Sequence, residues 1–224
     1  MSSKIKKVFA NKQKKLITFV TGGDPDYTTS KKILKNIIQN GADIIEIGMP
    51  FSDPMADGPT IQLSSNRAIK KGANLDMIFK ICNQLRDINS NIPIVLMGYY
   101  NVILHYGINK FVNKISSVGV DGLIIVDLQP EEDKDLINEL NNNQIDLIRL
   151  VTPTTDEERL KLILKNASGF LYYVSVTGIT GQKSADLNEL AKSVSFIKKL
   201  TNLPVIPGFG IKNSTDVNNI CKIA

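Results

Sequence analysis

A chain of 224 residues, 42% hydrophobic and 22% charged, can bury a substantial core and needs no special chemistry to hold it. Its formal charge of +5 is spread over lysines along helical patterns (Lys31, Lys32, Lys35; Lys161, Lys165; Lys192, Lys198, Lys199) rather than gathered with arginines and aromatics, which argues against nucleic-acid binding. No run approaches the roughly 20 apolar residues of a membrane span; the widely separated Cys82 and Cys221 argue against a disulfide scaffold, and the single histidine, His105, against histidine metal sites and Ser-His-Asp triads.

The basic start, Met1 to Lys7, leads into no apolar segment, so no secretory signal is expected there. A cytoplasmic location follows, with a plastid stroma as the alternative. Lys4 to Lys15 reads as the solvated face of a first helix. Strand-like apolar, β-branched runs then follow at Leu16–Thr21, Asp43–Met49, Ile92–Met97, Gly122–Leu128, Asp146–Val151, Gly169–Val176 and Pro204–Gly208. Helical stripes fall between them. Ile33, Leu34, Ile37 and Ile38 share one face, which ends at the Asn40-Gly41 stop signal. Met77, Ile78, Ile81, Cys82, Leu85 and Ile88 form another, which makes Cys82 a core residue. Phe111, Val112 and Ile115 precede Gly119; Leu136, Ile137 and Leu140 follow the helix start Pro130-Glu131-Glu132. Leu160, Ile163 and Leu164, then Leu187, Leu190, Val194 and Ile197, and last Val217, Ile220 and Cys221 complete the series.

Strands that alternate with helices imply parallel pairing and right-handed crossovers. An open doubly wound sheet and a closed (β/α)8 barrel both satisfy this, and the regular beat with polar residues at strand ends favours the barrel. No linker interrupts the pattern, so residues 1–224 read as a single TIM-barrel domain. An eighth βα unit is expected beyond residue 224, and the domain is read as C-terminally incomplete.

The second strand carries the first chemical signal. With period two, Ile45, Ile47 and Met49 face one way and Ile44, Glu46 and Gly48 the other. In a barrel the second set points inward, where desolvation lifts a carboxyl toward neutrality and suits it to proton transfer; a shift of register would put Glu46 in solvent instead. The following stretch, Pro50-Phe51-Ser52-Asp53-Pro54-Met55-Ala56-Asp57-Gly58-Pro59-Thr60-Ile61-Gln62, reads as a rigid loop at the strand's C-terminal end, where barrel enzymes build their sites. Asp53 and Asp57 are either turn formers or, with Glu46, a pair of working carboxylates across the barrel mouth.

These residues closely resemble the signature of tryptophan synthase alpha chains, from Glu46-Ile47-Gly48 through Ala56-Asp57-Gly58-Pro59-Thr60-Ile61-Gln62. The resemblance runs through the chain: Phe19-Val20-Thr21-Gly22-Gly23-Asp24-Pro25, Met97-Gly98-Tyr99-Tyr100-Asn101, Gly119-Val120-Asp121-Gly122 with Val126-Asp127, Ser175 to Gly181, and Pro207-Gly208-Phe209-Gly210-Ile211. It implies a lyase of tryptophan biosynthesis that cleaves indole-3-glycerol phosphate to indole and glyceraldehyde 3-phosphate by a retro-aldol reaction. By the same resemblance Glu46 transfers protons and Asp57 binds the indole N–H. Phe19, Tyr99, Ile124, Val126, Leu150, Tyr172 and Phe209 line the indole slot, with Tyr172 rather than Tyr173 turned inward. Gly181 and Gly210 contribute backbone to the phosphate site, and Thr180 approaches Asp57 from a lid spanning Thr177 to Ser184. Asp127 supports the site, and His105 sits in a loop without a role. The resemblance further implies no cofactor and no metal on this chain. Its partner is a beta chain carrying pyridoxal phosphate, met by Asp53 and the loop after the second strand, in an alpha2-beta2 tetramer.

Overall fold

The β-branched runs do form strands, most of them beginning one or two residues later than the run itself. The computed structural model describes residues 3–11, 13–174, 187–208, 211 and 213–223. Its contacts divide the chain into two compact units, Met1–Leu147 and Ile148–Ala224.

The first unit begins with α1 (Lys4–Val8), shorter than the Lys4 to Lys15 basic run suggested, and continues with β1 (Ile17–Thr21), α2 (Tyr27–Gln39), β2 (Ile44–Gly48), α3 (Pro59–Lys70), α4 (Leu75–Ile88), β3 (Ile94–Gly98), α5 (Tyr100–Tyr106), α6 (Ile108–Ser117), β4 (Gly122–Ile125) and α7 (Lys134–Asn142). Pro130–Glu132 is a 3-10 turn that precedes α7 rather than its first turn. β5 (Asp146–Val151) starts in this unit, where the Asp146 N–H donates to Asp121 O at 2.9 Å. Two helices are absent from the expected pattern: α5, which follows β3 almost at once, and α3, which follows β2 after the proline-rich loop. His105 therefore lies in α5 and is exposed, not in a loop.

β1 to β4 pair in chain order and in parallel: Phe19 stands beside Glu46, Glu46 beside Val95, and Met97 beside Ile124. The period-two reading of β2 holds. Ile45, Ile47 and Met49 join Ile94, Leu96, Leu123 and Ile125 in the core under the helices, with Leu34, Ile78, Phe79, Ile81, Cys82, Leu85 and Phe111. Burial pushes the Cys82 thiol up to about 12, so it is an inert core side chain. Phe19, Thr21, Glu46, Gly48, Val95, Met97 and Ile124 occupy the opposite face of the sheet. Every residue of β2 is buried, as expected of a parallel strand covered on both sides.

At the N-terminal end of this sheet Arg86 of α4 donates to Gly119 O through Nε at 2.8 Å, and also to Ile92 O and to Asp121. Asp121 in turn accepts the Ile94 N–H at 2.9 Å and meets Lys4 Nζ at 3.4 Å. Removing a partly buried guanidinium leaves buried carbonyls unpaired, which is the costly half of such a contact. Arg86→Ala is expected to lower stability by about 3 kcal/mol, read as a lower midpoint in urea unfolding; an unchanged midpoint would remove Arg86 from this account.

The second unit holds the rest of β5, α8 (Glu157–Leu164), β6 (Leu171–Val174), α9 (Leu187–Leu200), β7 (Val205–Gly208) and α10 (Ser214–Cys221). β5, β6 and β7 are again parallel neighbours, with Leu150 beside Tyr172 and Tyr172 beside Ile206. Val151, Leu160, Leu171, Tyr173, Leu190, Val194, Ile197 and Val205 form its core. Among the described residues there are seven strands, and no helix is long and apolar enough to cross a membrane.

Candidate active site

Glu46 is positioned by strand periodicity alone: its neighbours Ile45 and Ile47 are claimed by the helix-side core, so its carboxyl must point to the other face, beside Phe19. It is 2% exposed, and its Oε1 has no hydrogen-bond partner among the described residues. No described cation offsets that desolvation, and burial raises its pKa from 4.5 to about 7. This is the reverse of a register slip into solvent. It also leaves a carboxyl that both gives and takes a proton near neutrality.

Above Glu46 on the same face, Gly48 lets the Phe19 ring lie across the strand; a Cβ there would stand 2.7 Å from Phe19 Cζ. The ring, Gly48 and Met97 form one wall of a narrow cleft whose other lining includes Thr21, Ser65, Tyr99, Val126 and Asp57. Thr21 and Ser64 hydroxyls are 2.6 Å apart, and Ser64 donates to Ile61 O at 2.9 Å. The Ser64 proton is thus committed, and Thr21 donates to Ser64.

Asp57 comes from the loop between β2 and α3. The prolines of this segment read in sequence as loop throughout, yet Pro59 is the first residue of α3 and Gly58 its N-cap. A proline is at home there because its missing N–H would be unpaired anyway. Asp57 therefore stands just before a helix start, half-buried, with its N–H on Pro54 O at 3.1 Å and its carbonyl accepting from Gln62 Nε2 at 2.9 Å. Burial raises its carboxyl pKa, while a hydrogen bond from the Tyr99 hydroxyl opposes the rise.

The cleft gathers four of the expected site residues, Phe19, Asp57, Tyr99 and Val126. Ile124 is buried on the same sheet face beside Met97 but does not line it, and Glu46 lies beneath, one pleat below Gly48. Asp53 is exposed and accepts from Ser52 Oγ at 2.5 Å. Asp127 accepts the Tyr100 N–H at 2.8 Å at the start of α5. In the second unit Tyr173 is claimed by the core, so Tyr172 takes the opposite face with Leu150. Tyr172 packs on Gly208, where a Cβ would meet its Oη at 2.2 Å. Thr180, Gly181, Phe209 and Gly210, with the proposed lid, lie outside the described residues. The cleft also uses Thr21, Met49, Ile61, Ser65 and Met97. Thr21 and Met97 could have been found by carrying the period-two pattern of Phe19 and the strand pairing one step further. Ser65 could not, because α3 was unread.

Comparison with known proteins agrees in fold and family. The family model for the tryptophan synthase alpha chain matches residues 5–224. The structure of tryptophan synthase subunit alpha from Legionella pneumophila str. Paris superposes with a TM-score of 0.92 at 34% identity, covering 100% of this chain and 84% of that one. A protein of Aquifex aeolicus VF5 gives 0.90 at 36% identity, over 99% and 84%. Mycobacterium tuberculosis tryptophan synthase gives 0.90 at 29% identity, over 99% and 84%. With strand and helix alternating throughout and carboxylates at the end of β2, the chain has the (β/α)8-barrel fold and belongs to the tryptophan synthase alpha chain family, lyases that cleave indole-3-glycerol phosphate to indole and glyceraldehyde 3-phosphate in tryptophan biosynthesis.

Proposed function

We propose that Glu46 and Asp57 carry this cleavage in the chain as it stands. Glu46, protonated, gives its proton to indole carbon C3, which breaks the ring's conjugation and places positive charge at the ring nitrogen. Asp57, ionised, accepts a hydrogen bond from that N–H and stabilises the charge as it develops. The hydroxyl on the carbon bonded to C3 then loses its proton to Glu46. The carbon–carbon bond breaks, its electron pair restores the aromatic ring, and an aldehyde leaves. Glu46 ends protonated, as it began. The observation that supports this most is the buried carboxyl of Glu46, raised to about 7 by desolvation and set beneath a cleft that contains Asp57.

Phe19, Tyr99, Ile124, Val126, Leu150, Tyr172 and Phe209 would hold the indole ring, and Gly181 and Gly210 the phosphate, with Thr180 closing toward Asp57. This reaction is acid–base chemistry and needs no cofactor on the chain. The partner is a beta chain; pyridoxal phosphate on that partner, Asp53 at the contact, an alpha2-beta2 tetramer, a cytoplasmic location and a single barrel domain belong to the same reading. Indole release from indole-3-glycerol phosphate, measured with and without a purified beta chain, tests it. Release that rises with the partner is expected; its absence in both settings would overturn the assignment of activity to this chain.

A further inference from the structure

Between Pro50 and Gly58 the loop that carries Asp57 makes few bonds to the strands beneath it. Among the described residues its hydrogen bond to the end of β3 is made to one atom, the hydroxyl oxygen of Tyr99. That oxygen accepts the Ala56 N–H at 3.0 Å and lies by the Asp57 carboxyl, whose pKa the hydroxyl lowers. The Tyr99 ring packs on Phe51 of the same loop, with centroids 5.3 Å apart. Tyr99 itself is held from behind: it is 3% exposed, caps the start of α5, and the next N–H, from Tyr100, is bound by Asp127 at 2.8 Å.

A tyrosine that served only as an apolar wall would work equally well as phenylalanine. The hydroxyl oxygen is held by the loop as acceptor of the Ala56 N–H, a bond that phenylalanine cannot make. We propose that Tyr99 is a positioning residue for Asp57: its hydroxyl fastens the β2–α3 loop to the end of β3 and aims the Asp57 carboxylate into the cleft. The reading rests on the catalytic assignment of Asp57. Burial, reinforced by the Asp57 and Asp127 carboxylates, raises the phenol's own pKa, so Tyr99 keeps its proton across the working range. A protonated hydroxyl beside Asp57 favours the ionised form of that carboxyl, the form that can stabilise positive charge.

Tyr99→Phe keeps the ring and its contact with Phe51 and removes the hydroxyl. In the free protein, titration of the Asp57 carboxyl followed by carbon-13 NMR is expected to move to higher pH. An unmoved titration overturns the proposal whether or not the chain turns over substrate, so this arm stands apart from the catalytic reading. In turnover, kcat is expected to fall roughly tenfold with KM within about twofold, and the acid limb of the kcat profile to move to higher pH with the carboxyl. A rise in KM alone would make Tyr99 a wall of the cleft. Should Tyr99→Phe fail to fold, the unsubstituted protein labelled with 3-fluorotyrosine decides: one fluorine resonance should titrate with Asp57 and cease to do so in Asp57→Asn. No such resonance would overturn the proposal.

Discussion

Glu46→Gln is expected to abolish indole release, a loss of about a thousandfold or more, because general acid–base groups contribute roughly 100- to 10,000-fold and this one is proposed to serve both proton transfers. The amide has nearly the carboxyl's shape, so substrate binding should change little and the loss should fall in kcat. With the native glutamate, kcat should decline as pH rises through about 7, since the starting form is protonated. A variant with activity within tenfold of the native chain would mean that the proton comes from elsewhere.

The same substitution should raise stability in alkaline solution. Below pH 4.5 Glu46 is protonated whether the chain is folded or unfolded, and it favours neither. Between 4.5 and about 7 the unfolded chain releases the proton while the folded chain retains it, so stability falls as pH rises, and above about 7 the whole loss is present. The gap from 4.5 to about 7 corresponds to about 3 kcal/mol. Glutamine has no charge to desolvate. Urea unfolding at pH 9 should therefore favour Glu46→Gln over the native chain, with the difference shrinking toward pH 5. A difference that does not depend on pH would contradict the buried, uncompensated carboxyl. The group proposed to carry the proton is thus one the fold would be more stable without.

Asp57→Asn is expected to lower kcat about 100-fold and to leave KM within about threefold. The amide oxygen can still accept from the ring N–H and from Tyr99, so the ground-state complex survives. What it lacks is the negative charge that answers the positive charge formed at C3 protonation, and removing a group of this kind typically costs 100- to 1,000-fold. Rates and affinities measured on the purified variant with its beta partner check this. A loss shared equally between kcat and binding would make Asp57 a structural loop residue.

Much of this was open to a reading of residues alone where one physical rule governs. In β2 the alternation of Ile45, Ile47 and Met49 with Glu46 and Gly48 separates two faces of the strand, and the core beneath the helices decides which face the three apolar side chains take. The helix stripe around Cys82 is equally unambiguous, although it passed over Phe79, which is fully buried on the same helix. The reading failed where a residue has two local meanings. Pro59 is a loop former and also a favoured first residue of a helix, so α3, and with it Ser64 and Ser65, went unseen. α5 is seven residues long, too short for a period to declare itself, and His105 was misplaced with it. The hydrogen bond from Ala56 to the Tyr99 hydroxyl joins residues 43 positions apart, a separation at which no local pattern gives warning.

The strand pairing of the first unit bears on how the protein is made. β2, β3 and β4 each pair with the strand preceding them, so each of these three finds its template already in place as it emerges from the ribosome. Glu46, Asp57 and Tyr99, with the cleft lining from Phe19 to Val126, are all synthesised before the second unit begins at Ile148. The proposed proton-transfer apparatus can take shape on the nascent chain, while the glycines proposed for the substrate's phosphate, Gly181 and Gly210, have yet to be translated.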